Sequence, residues 1–440
     1  MKIAWKVATG VAVAATAAAL TLSGCSNPGS GSGSDTSSAW PAQNTKLSGV
    51  TLTVWAAENS NKTADSVING FEKLTGAKVN VVTIPDPYEQ GVQTKVATGD
   101  KPDLAFWQPT ASELTALNAS QNLQSLDGAP WVKNYEGNLG SMTGLLNGTR
   151  YSALISTPAV IGVYYNKEVF AHNGITTLPK NWDQFISLAE QLKAKGVDPF
   201  YEMGADKWAT QWWVQAQLAD AAKNGLWDRV NANKEKFTDS TIQGAINTYQ
   251  KLIQQGLFNS DIKTATFIDQ GQALLSGNAA MAMQVNSFFG ELQASASTSE
   301  LNQKIGFFPI SPSGNVGTYI PDQSNALVAF KTGDSKREAA ARQFLSYWLG
   351  DGYKNFVSAQ STVSLIKGVS TPSSVPTALR DVAASLNGSV GSMQALAVAN
   401  PDLYLNLANM IQGTMTPQQV AQTTQAQFAQ LAKAQGVKGF

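Results

Sequence analysis

Residues 50–107 decide the fold, because three β-rich segments alternate there with helical patterns: VTLTVW (50–55), KVNVVTI (78–84) and DLAFW (103–107). The first segment alternates polar and apolar residues, as a strand does. The apolar positions of 67–74 share one helical face before Gly76, and a second helical pattern at 88–97 ends before Gly99. The order strand, helix, strand, helix, strand predicts a parallel sheet with right-handed crossovers.

The rest of the chain is mainly helical in pattern. Asn181 is a good helix N-cap, and Gln184 stands three residues later, as in a capping box. Further helical patterns run through 206–255, 336–350 and 416–434. A length of 440 residues exceeds the size at which a single core usually stops growing, so two lobes are expected.

The N-terminus has the layout of a secretory signal. Lys2 and Lys6 precede an Ala-rich apolar run that is too short for a comfortable membrane span. The tetrapeptide LSGC (22–25) resembles the bacterial lipobox, which implies a signal peptide over 1–24 and lipidation of Cys25. Residues 25–46 then form a flexible Gly/Ser-rich tether. An ordinary signal peptide with an incidental cysteine is the alternative.

Composition excludes several classes of function. Lys and Arg together number 31, as do Asp and Glu, and only 14% of residues are charged, which argues against a nucleic-acid partner. Cysteine is absent after Cys25 and His172 is the only histidine, so zinc sites lack their usual ligands and a Ser-His-Asp or Cys-His apparatus has a single possible base. His172 precedes Gly174 and is interpreted as a cation near a helix C-terminus. No cofactor or metal is expected.

Five segments match a known family in order across roughly 50–436: FEKLTGAKV (71–79), KVATGDKPDL (95–104), VYYNKEVF (163–170), LPKNWDQF (178–185) and GNAAMAM (277–283). A single segment is weak evidence for a family. The ordered set resembles the sugar-type extracellular solute-binding proteins of bacterial ABC importers, which are relatives of maltose-binding protein. The sequence departs from the family after the last segment, where Asn286, Ser287 and Phe288 replace a Gly-Ser-Trp or Gly-Pro-Trp triplet.

This resemblance implies an α/β fold of the two-lobed, type II periplasmic-binding-protein class with discontinuous lobes. The N-lobe is expected over 47–157 and 322–370, and the C-lobe over 158–321 and 371–440. Strand-like hinges are expected near 155–158, 319–322 and 367–372. These boundaries follow from the family model and not from periodicity.

Sugar hydroxyls need paired donors and acceptors, and the apolar face of a sugar ring packs on aromatic side chains. Ligands of open α/β sheets collect beyond the carboxyl ends of the strands. Candidate ligand-binding residues at predicted strand ends, crossovers and late loops are Trp55, Glu58, Asn59, Asp86, Tyr88, Trp107, Gln108, Trp208, Trp212, Gln284, Asn286, Phe288, Asp322, Gln323, Asp402 and Tyr404.

The resulting hypothesis is a non-enzymatic, monomeric binding protein. It would capture a sugar or oligosaccharide between its lobes, close by hinge motion and deliver the sugar to the permease of an ABC importer. A lipid anchor at Cys25 would hold it on the extracellular face of the cytoplasmic membrane. The alternatives are a lipid-anchored glycoside hydrolase with paired carboxylates, a binding protein for another solute, and a surface adhesin.

Overall fold

The computed structural model describes residues 40–85 and 87–440, and only the backbone of Asn59. The strands are β1 (Thr51–Ala56), β2 (Lys78–Thr83), β3 (Leu104–Phe106), β4 (Leu145–Leu146), β5 (Thr149–Arg150), β6 (Ser152–Leu154), β7 (Ala159–Asn166), β8 (Asp198–Phe200), β9 (Ala279–Gln284), β10 (Ile305–Phe308), β11 (Thr318–Ile320), β12 (Ala326–Ala329) and β13 (Val390–Gly391). Short 3-10 helices cover Glu58–Ser60, Val132–Asn134, Trp208–Gln211 and Gln323–Asn325.

The α-helices surround these strands. In chain order they are α1 (Asp65–Thr75), α2 (Tyr88–Ala97), α3 (Ala111–Ala116), α4 (Ala119–Asn122), α5 (Leu139–Met142), α6 (Lys167–His172), α7 (Trp182–Ala194), α8 (Trp212–Gln217), α9 (Ala219–Lys223), α10 (Leu226–Asn231), α11 (Ser240–Gln254), α12 (Phe267–Ser276), α13 (Phe288–Ser295), α14 (Thr298–Lys304), α15 (Ser335–Trp348), α16 (Tyr353–Gln360), α17 (Thr377–Ser385), α18 (Met393–Leu396), α19 (Leu403–Gln412) and α20 (Pro417–Ala434).

The first sheet has the strand order β2-β1-β3-β12-β6. Strands β1, β2 and β3 are parallel to one another, which confirms the parallel arrangement predicted from residues 50–107. The sheet as a whole is mixed, because β12 arrives from far along the chain and runs antiparallel to both β3 and β6. This sheet and its helices form the first lobe.

Helix α1 shows why the local sequence folds as it does. Val67, Ile68 and Phe71 on its apolar face are buried, and Phe71 meets the ring of Phe344 edge-to-face at 5.0 Å between centroids. Gly76 ends the helix in the left-handed conformation with φ of 79°, which glycine adopts without the steric cost that a β-carbon would bring.

The second sheet has the strand order β13-β11-β7-β9-β8, and β10 pairs with the other end of β7. Strand β7 runs antiparallel to β9, β10 and β11, while β8 and β9 are parallel. Every residue of β9 is buried, as expected for a central strand covered on both faces. This sheet and its helices form the second lobe.

One capping prediction needs correction, and the predicted helical segments are confirmed. The helical pattern over 206–255 is present as the 208–211 helix, α8, α9, α10 and the 15-residue α11, and Gly225, at φ of 76°, separates α9 from α10. Asn181 caps α7 by accepting from the Gln184 backbone N–H at 3.0 Å, but the Gln184 side chain accepts from Lys180 N–H, so the reciprocal capping box does not form. The expected helices near 336–350 and 416–434 are present as α15 and α20.

The chain crosses between the two sheets more than once. Residues 155–158 connect β6 to β7, and residues 321–325 connect β11 to β12. Asn325 ties these crossovers together, because its Nδ2 donates to Ser156 Oγ and to the Thr157 carbonyl, each at 3.1 Å. The lobe boundaries themselves stay a prediction.

The predicted signal peptide, Cys25 and residues 25–39 of the tether lie outside the described residues. From residue 40 onward, Asp86 excepted, no helix combines the length and the apolar character that a membrane crossing requires.

Candidate ligand-binding site

A cavity of about 520 Å³ lies where the crossover into the first sheet meets the edge of the second sheet. It is open to solvent on one side. Its lining residues come from the start of β7, the loop after β9, the end of β11, the crossover to β12 and the 208–212 segment: Ala159, Trp208, Trp212, Val285, Asn286, Ser287, Ile320, Asp322, Ser324 and Asn325. The position at strand ends is the usual place for a ligand in an α/β sheet.

Two tryptophans form the aromatic wall of this cavity. The rings of Trp208 and Trp212 lie 6.1 Å apart at 67°, and Phe267 supports Trp208 edge-to-face at 5.3 Å. Trp212 is only 6% exposed, and its buried indole N–H has no acceptor among the described residues. A buried N–H normally finds a partner, so this unpaired donor is an exception among the side chains around the cavity.

Asn286 supplies an oriented amide. Its Oδ1 accepts a hydrogen bond from the backbone N–H of Val160 at 2.9 Å, and this bond fixes which end of the amide faces β7. Because the carbonyl end is engaged there, the Nδ2 donors point away from the strand, and Asn286 lines the cavity.

Asp322 supplies the acceptor on the crossover. One of its oxygens accepts from the Ser324 backbone N–H at 2.9 Å and from the Ser324 hydroxyl at 2.8 Å. The backbone N–H of Asp322 donates to Asn325 Oδ1 at 2.8 Å, which completes a tight 3-10 turn. The side chain of Asp322 is exposed, so its second oxygen can accept hydrogen bonds from a ligand.

The charge of the cavity is simple. Within the described part of the chain, Asp322 is the single charged side chain in its lining, and no lysine, arginine or histidine contributes to it. The described part of the chain brings no three metal-ligating side chains together. The arrangement can therefore hydrogen-bond hydroxyl groups and cover an apolar ring face, but it offers no cation to an anionic ligand.

Two further cavities of about 410 and 500 Å³ lack this combination. The first is lined by residues 136–139 and 363–365 together with part of α17, and the second by residues 126–130, 132 and 133 with Leu145 and Arg150. Among the described residues, no aromatic side chain lines either cavity. Because sugar sites need flat apolar platforms beside polar groups, the tryptophan-lined cavity is the better candidate.

The structure brings four of the sequence-predicted site residues together in one cavity, namely Trp208, Trp212, Asn286 and Asp322. Gln284 lies one layer deeper: it is fully buried and its Nε2 donates to Gln270 Oε1 at 2.8 Å. Gln323 is buried in the turn beside the cavity. Asp402 and Tyr404 flank the 208–211 helix, where the Tyr404 carbonyl accepts from the Thr210 hydroxyl at 2.8 Å.

A second group of predicted residues is buried by packing and does not line the cavity: Trp55, Tyr88, Trp107 and Phe288. Trp107 is fully buried, and its indole N–H donates to the Glu113 carbonyl at 3.0 Å. The Tyr88 hydroxyl donates to the Phe106 carbonyl at 2.6 Å. The Trp55 ring is buried beneath Lys95 Nζ, 5.5 Å from the ring centroid. Phe288 packs edge-to-face against Tyr164 in the core.

The remaining predicted residues are not part of the cavity lining. Glu58 is exposed and Gln108 is half-buried, both on the first lobe. Asp86 and the side chain of Asn59 lie outside the described residues. The prediction missed six lining residues: Ala159, Val285, Ser287, Ile320, Ser324 and Asn325. Ile320 lies within a predicted hinge, Ala159, Ser324 and Asn325 lie within three residues of one, and Val285 and Ser287 flank Asn286, so the neighbours of the predicted hinges and of Asn286 were the available signal.

Glu202 and Glu113, which lie outside the cavity lining, have carboxyl groups with raised pKa values. Burial raises the pKa of Glu202 to about 7, and the acid accepts from the Tyr249 hydroxyl at 2.9 Å and from Met203 N–H at 2.8 Å. Burial, followed by the charge of Glu89, raises the pKa of Glu113 to about 7. Neither acid lines the cavity, so the two are not a catalytic pair there.

An α/β molecule with two sheets, repeated crossovers and a cavity at the crossover has the architecture of a two-lobed ligand-binding protein. The family model for bacterial extracellular solute-binding proteins matches residues 55–355, and the chain belongs to this family.

Relatives with known names share part of the sequence. The chain is 24% identical over 225 residues to a multiple sugar-binding protein of Streptococcus mutans, a match that covers 50% of this chain and 53% of the relative. It is 24% identical over 324 residues to the diacetylchitobiose binding protein DasA of Streptomyces coelicolor, a match that covers 70% of this chain and 71% of DasA. The chain thus spans about half the length of the first of these relatives.

The fold agrees with solved structures. The apo form of RafE from Streptococcus pneumoniae superposes with a TM-score of 0.73 at 21% identity, and the superposition covers 88% of this chain and 98% of that one. At this level of identity the likeness establishes the fold.

Proposed function

We propose that this chain is an extracellular binding protein that captures a neutral sugar or oligosaccharide and delivers it to an ABC importer. The observation that carries the proposal is the cavity with two tryptophans, the Asn286 amide and the Asp322 carboxylate at the crossover between the lobes. Aromatic faces can cover the C–H face of a sugar, while the amide and the carboxylate serve its hydroxyl groups. The proposed sugar binding is also supported by two relatives, the multiple sugar-binding protein of Streptococcus mutans and the diacetylchitobiose binding protein DasA.

The proposed mechanism uses the two lobes and the crossovers that join them, residues 155–158 and 321–325. A sugar that contacts the second lobe and the crossover favours the conformation in which both sides reach it, so binding shifts the population toward closure. The closed form would be the state that the permease recognises. In this proposal the protein acts as a monomer, and Cys25 carries a lipid that anchors it at the extracellular face of the membrane.

One observation favours binding over hydrolysis. A glycoside hydrolase of the usual kind needs two carboxyl groups across its cleft, about 5–10 Å apart. Among the residues that the structure describes, the cavity lining holds one, Asp322. Turnover of aryl glycosides that disappears in Asp322→Asn would overturn this part of the proposal.

The test is isothermal titration calorimetry of the purified protein with a panel of raffinose, diacetylchitobiose, maltose and their monosaccharides, followed in parallel by tryptophan fluorescence. We expect one-to-one binding of at least one neutral sugar, with a fluorescence change because two tryptophans line the cavity. Binding of an amino acid, peptide or polyamine, with no binding of any sugar, would overturn the proposal.

The anchor is tested separately. Cys25→Ala should release the protein from the membrane into the medium without changing its sugar affinity. Retention of the variant in the membrane fraction would contradict lipidation at Cys25.

A further inference from the structure

Three glutamine side chains bond to one another beside the aromatic wall of the cavity. Gln394 Nε2 donates to Gln211 Oε1 at 2.7 Å, and Gln215 Nε2 donates to Gln394 Oε1 at 2.5 Å. A longer contact of 3.4 Å joins Gln215 Nε2 to Gln211 Oε1. Gln211 and Gln215 are buried and Gln394 is half-buried. We call these three residues the glutamine cluster.

The orientation of each amide in the glutamine cluster is fixed by backbone groups. The Met393 backbone N–H, which can only donate, bonds to Gln215 Oε1 at 2.8 Å, so the Gln215 Nε2 must face Gln394. At the other end, Gln211 Nε2 donates to the Trp208 carbonyl at 3.2 Å. No amide can be reversed without placing donor against donor or acceptor against acceptor. Such a network favours one arrangement of the elements that carry it.

The glutamine cluster joins two elements with different tasks. Gln211 and Gln215 belong to the 208–217 segment, which also presents Trp208 and Trp212 to the cavity. Gln394 belongs to α18, which contacts α3 of the first lobe. A single hydrogen-bonded network therefore connects the aromatic wall in the second lobe to a place where the two lobes meet.

From this connection we infer that the glutamine cluster sets the position of α18 for lobe closure and couples it to the tryptophan wall. The inference rests on the proposed function. Gln394 and Gln215 are positioning residues: they hold the surface that meets α3, and in this role they act without touching the sugar. Without the cluster, α18 can shift against the 208–217 segment, the closed form loses part of its contact between lobes, and bound sugar escapes faster.

The test compares Gln394→Leu with the control Gln254→Leu, since Gln254 is an exposed glutamine on α11 of the same lobe. Leucine keeps most of the side-chain volume and removes both amide bonds of Gln394. The ligand is the neutral sugar from the panel above that binds the unaltered protein most tightly. The readouts are the dissociation constant, the association and dissociation rates by stopped-flow tryptophan fluorescence, the melting temperature, and the radius of gyration with and without sugar.

We expect Gln394→Leu to bind about tenfold more weakly, as the loss of one to two hydrogen bonds implies, mainly through faster dissociation. The sugar-induced decrease in the radius of gyration should be smaller than in the control, and the melting temperature without sugar should fall as well, because Gln211 and Gln215 lose a hydrogen-bond partner. The folded fraction of Gln215→Leu should likewise release sugar faster and show a smaller sugar-induced decrease in the radius of gyration. A merely structural role would lower the melting temperature and leave the dissociation rate of folded protein unchanged.

Two outcomes separate this inference from the proposed function. If the unaltered protein binds sugar, and Gln394→Leu binds and compacts as the control does, the inference alone is overturned. If the unaltered protein binds no sugar, the proposed function fails and the inference fails with it.

Discussion

Replacement of Asn325 should weaken the junction between the lobes more than any single exposed polar change. Its side chain makes three hydrogen bonds: it accepts from Asp322 N–H at 2.8 Å and donates to Ser156 Oγ and the Thr157 carbonyl at 3.1 Å. A typical bond contributes about 1 kcal/mol net, and buried partners that lose theirs cost more. We therefore expect Asn325→Ala to lower the free energy of unfolding by about 3 kcal/mol.

A second variant tests whether the donor atoms matter. Asn325→Asp keeps the acceptor for Asp322 N–H and nearly the same side-chain volume. It replaces the Nδ2 donor with a carboxylate oxygen, so two acceptors, this oxygen and the Thr157 carbonyl, face each other without a proton between them. This variant should be at least as unstable as Asn325→Ala at pH 7. Asn409→Ala is the control, because Asn409 is exposed on α19 and its side chain has no bond in the described structure.

Urea denaturation followed by tryptophan fluorescence and circular dichroism measures these differences as shifts in the midpoint at constant slope. The control should stay within about 0.5 kcal/mol of the unaltered protein. If Asn325→Ala also stays within that range, the crossovers are not held by this side chain and the reasoning is refuted.

Three further predictions concern the second lobe and the cavity. Burial raises the pKa of Glu202 from 4.5 to about 7, so its stabilising contribution is complete below about pH 4.5 and disappears as the pH rises through 7. At about 1.4 kcal/mol per pKa unit, this contribution to the free energy of unfolding is at most about 3 kcal/mol. Glu202→Gln should therefore reduce the decrease in melting temperature between pH 5 and 8. A decrease as large as that of the unaltered protein would contradict the raised pKa of Glu202. Gly204→Ala should lower the free energy of unfolding by about 2–3 kcal/mol in urea denaturation, because its Cβ would overlap the backbone carbonyl oxygen of Ile262; a neutral effect would show that this backbone relaxes. Asp322→Asn should reduce the ratio of the affinity for a neutral sugar to the affinity for the matching uronic acid in calorimetry, since it removes the negative charge that the described cavity lining holds; tighter binding of the acid by the unaltered protein would contradict the charge argument.

The first lobe was predictable where local pattern and burial agree. Strands β1, β2 and β3 and the helices between them follow from alternation, amphipathic spacing and glycine at helix ends. The arrival of β12 between β3 and β6 could not be read from that region, because the partner strand lies about 220 residues away in the sequence. Likewise, the breaks in 206–255 depend on how short helices pack and not on periodicity alone.

The candidate site was predictable only on the second lobe and the crossover. Trp208 and Trp212 stand four residues apart on one helical face, and both line the cavity. Trp55 and Trp107 also follow the strand-end rule, but the cluster formed with Tyr88, Leu114 and Phe330 covers their rings. Sequence shows that an aromatic residue stands at a strand end, whereas its exposure depends on neighbours from distant segments.

The most direct measurement is a crystal structure of the protein grown with the neutral sugar that calorimetry selects. The account predicts a sugar ring packed against Trp208 or Trp212, with hydroxyl groups hydrogen-bonded to Asn286 Nδ2 and to the free oxygen of Asp322. A sugar bound elsewhere, for example in the cavity beside α17, with the tryptophan-lined cavity empty, would contradict it.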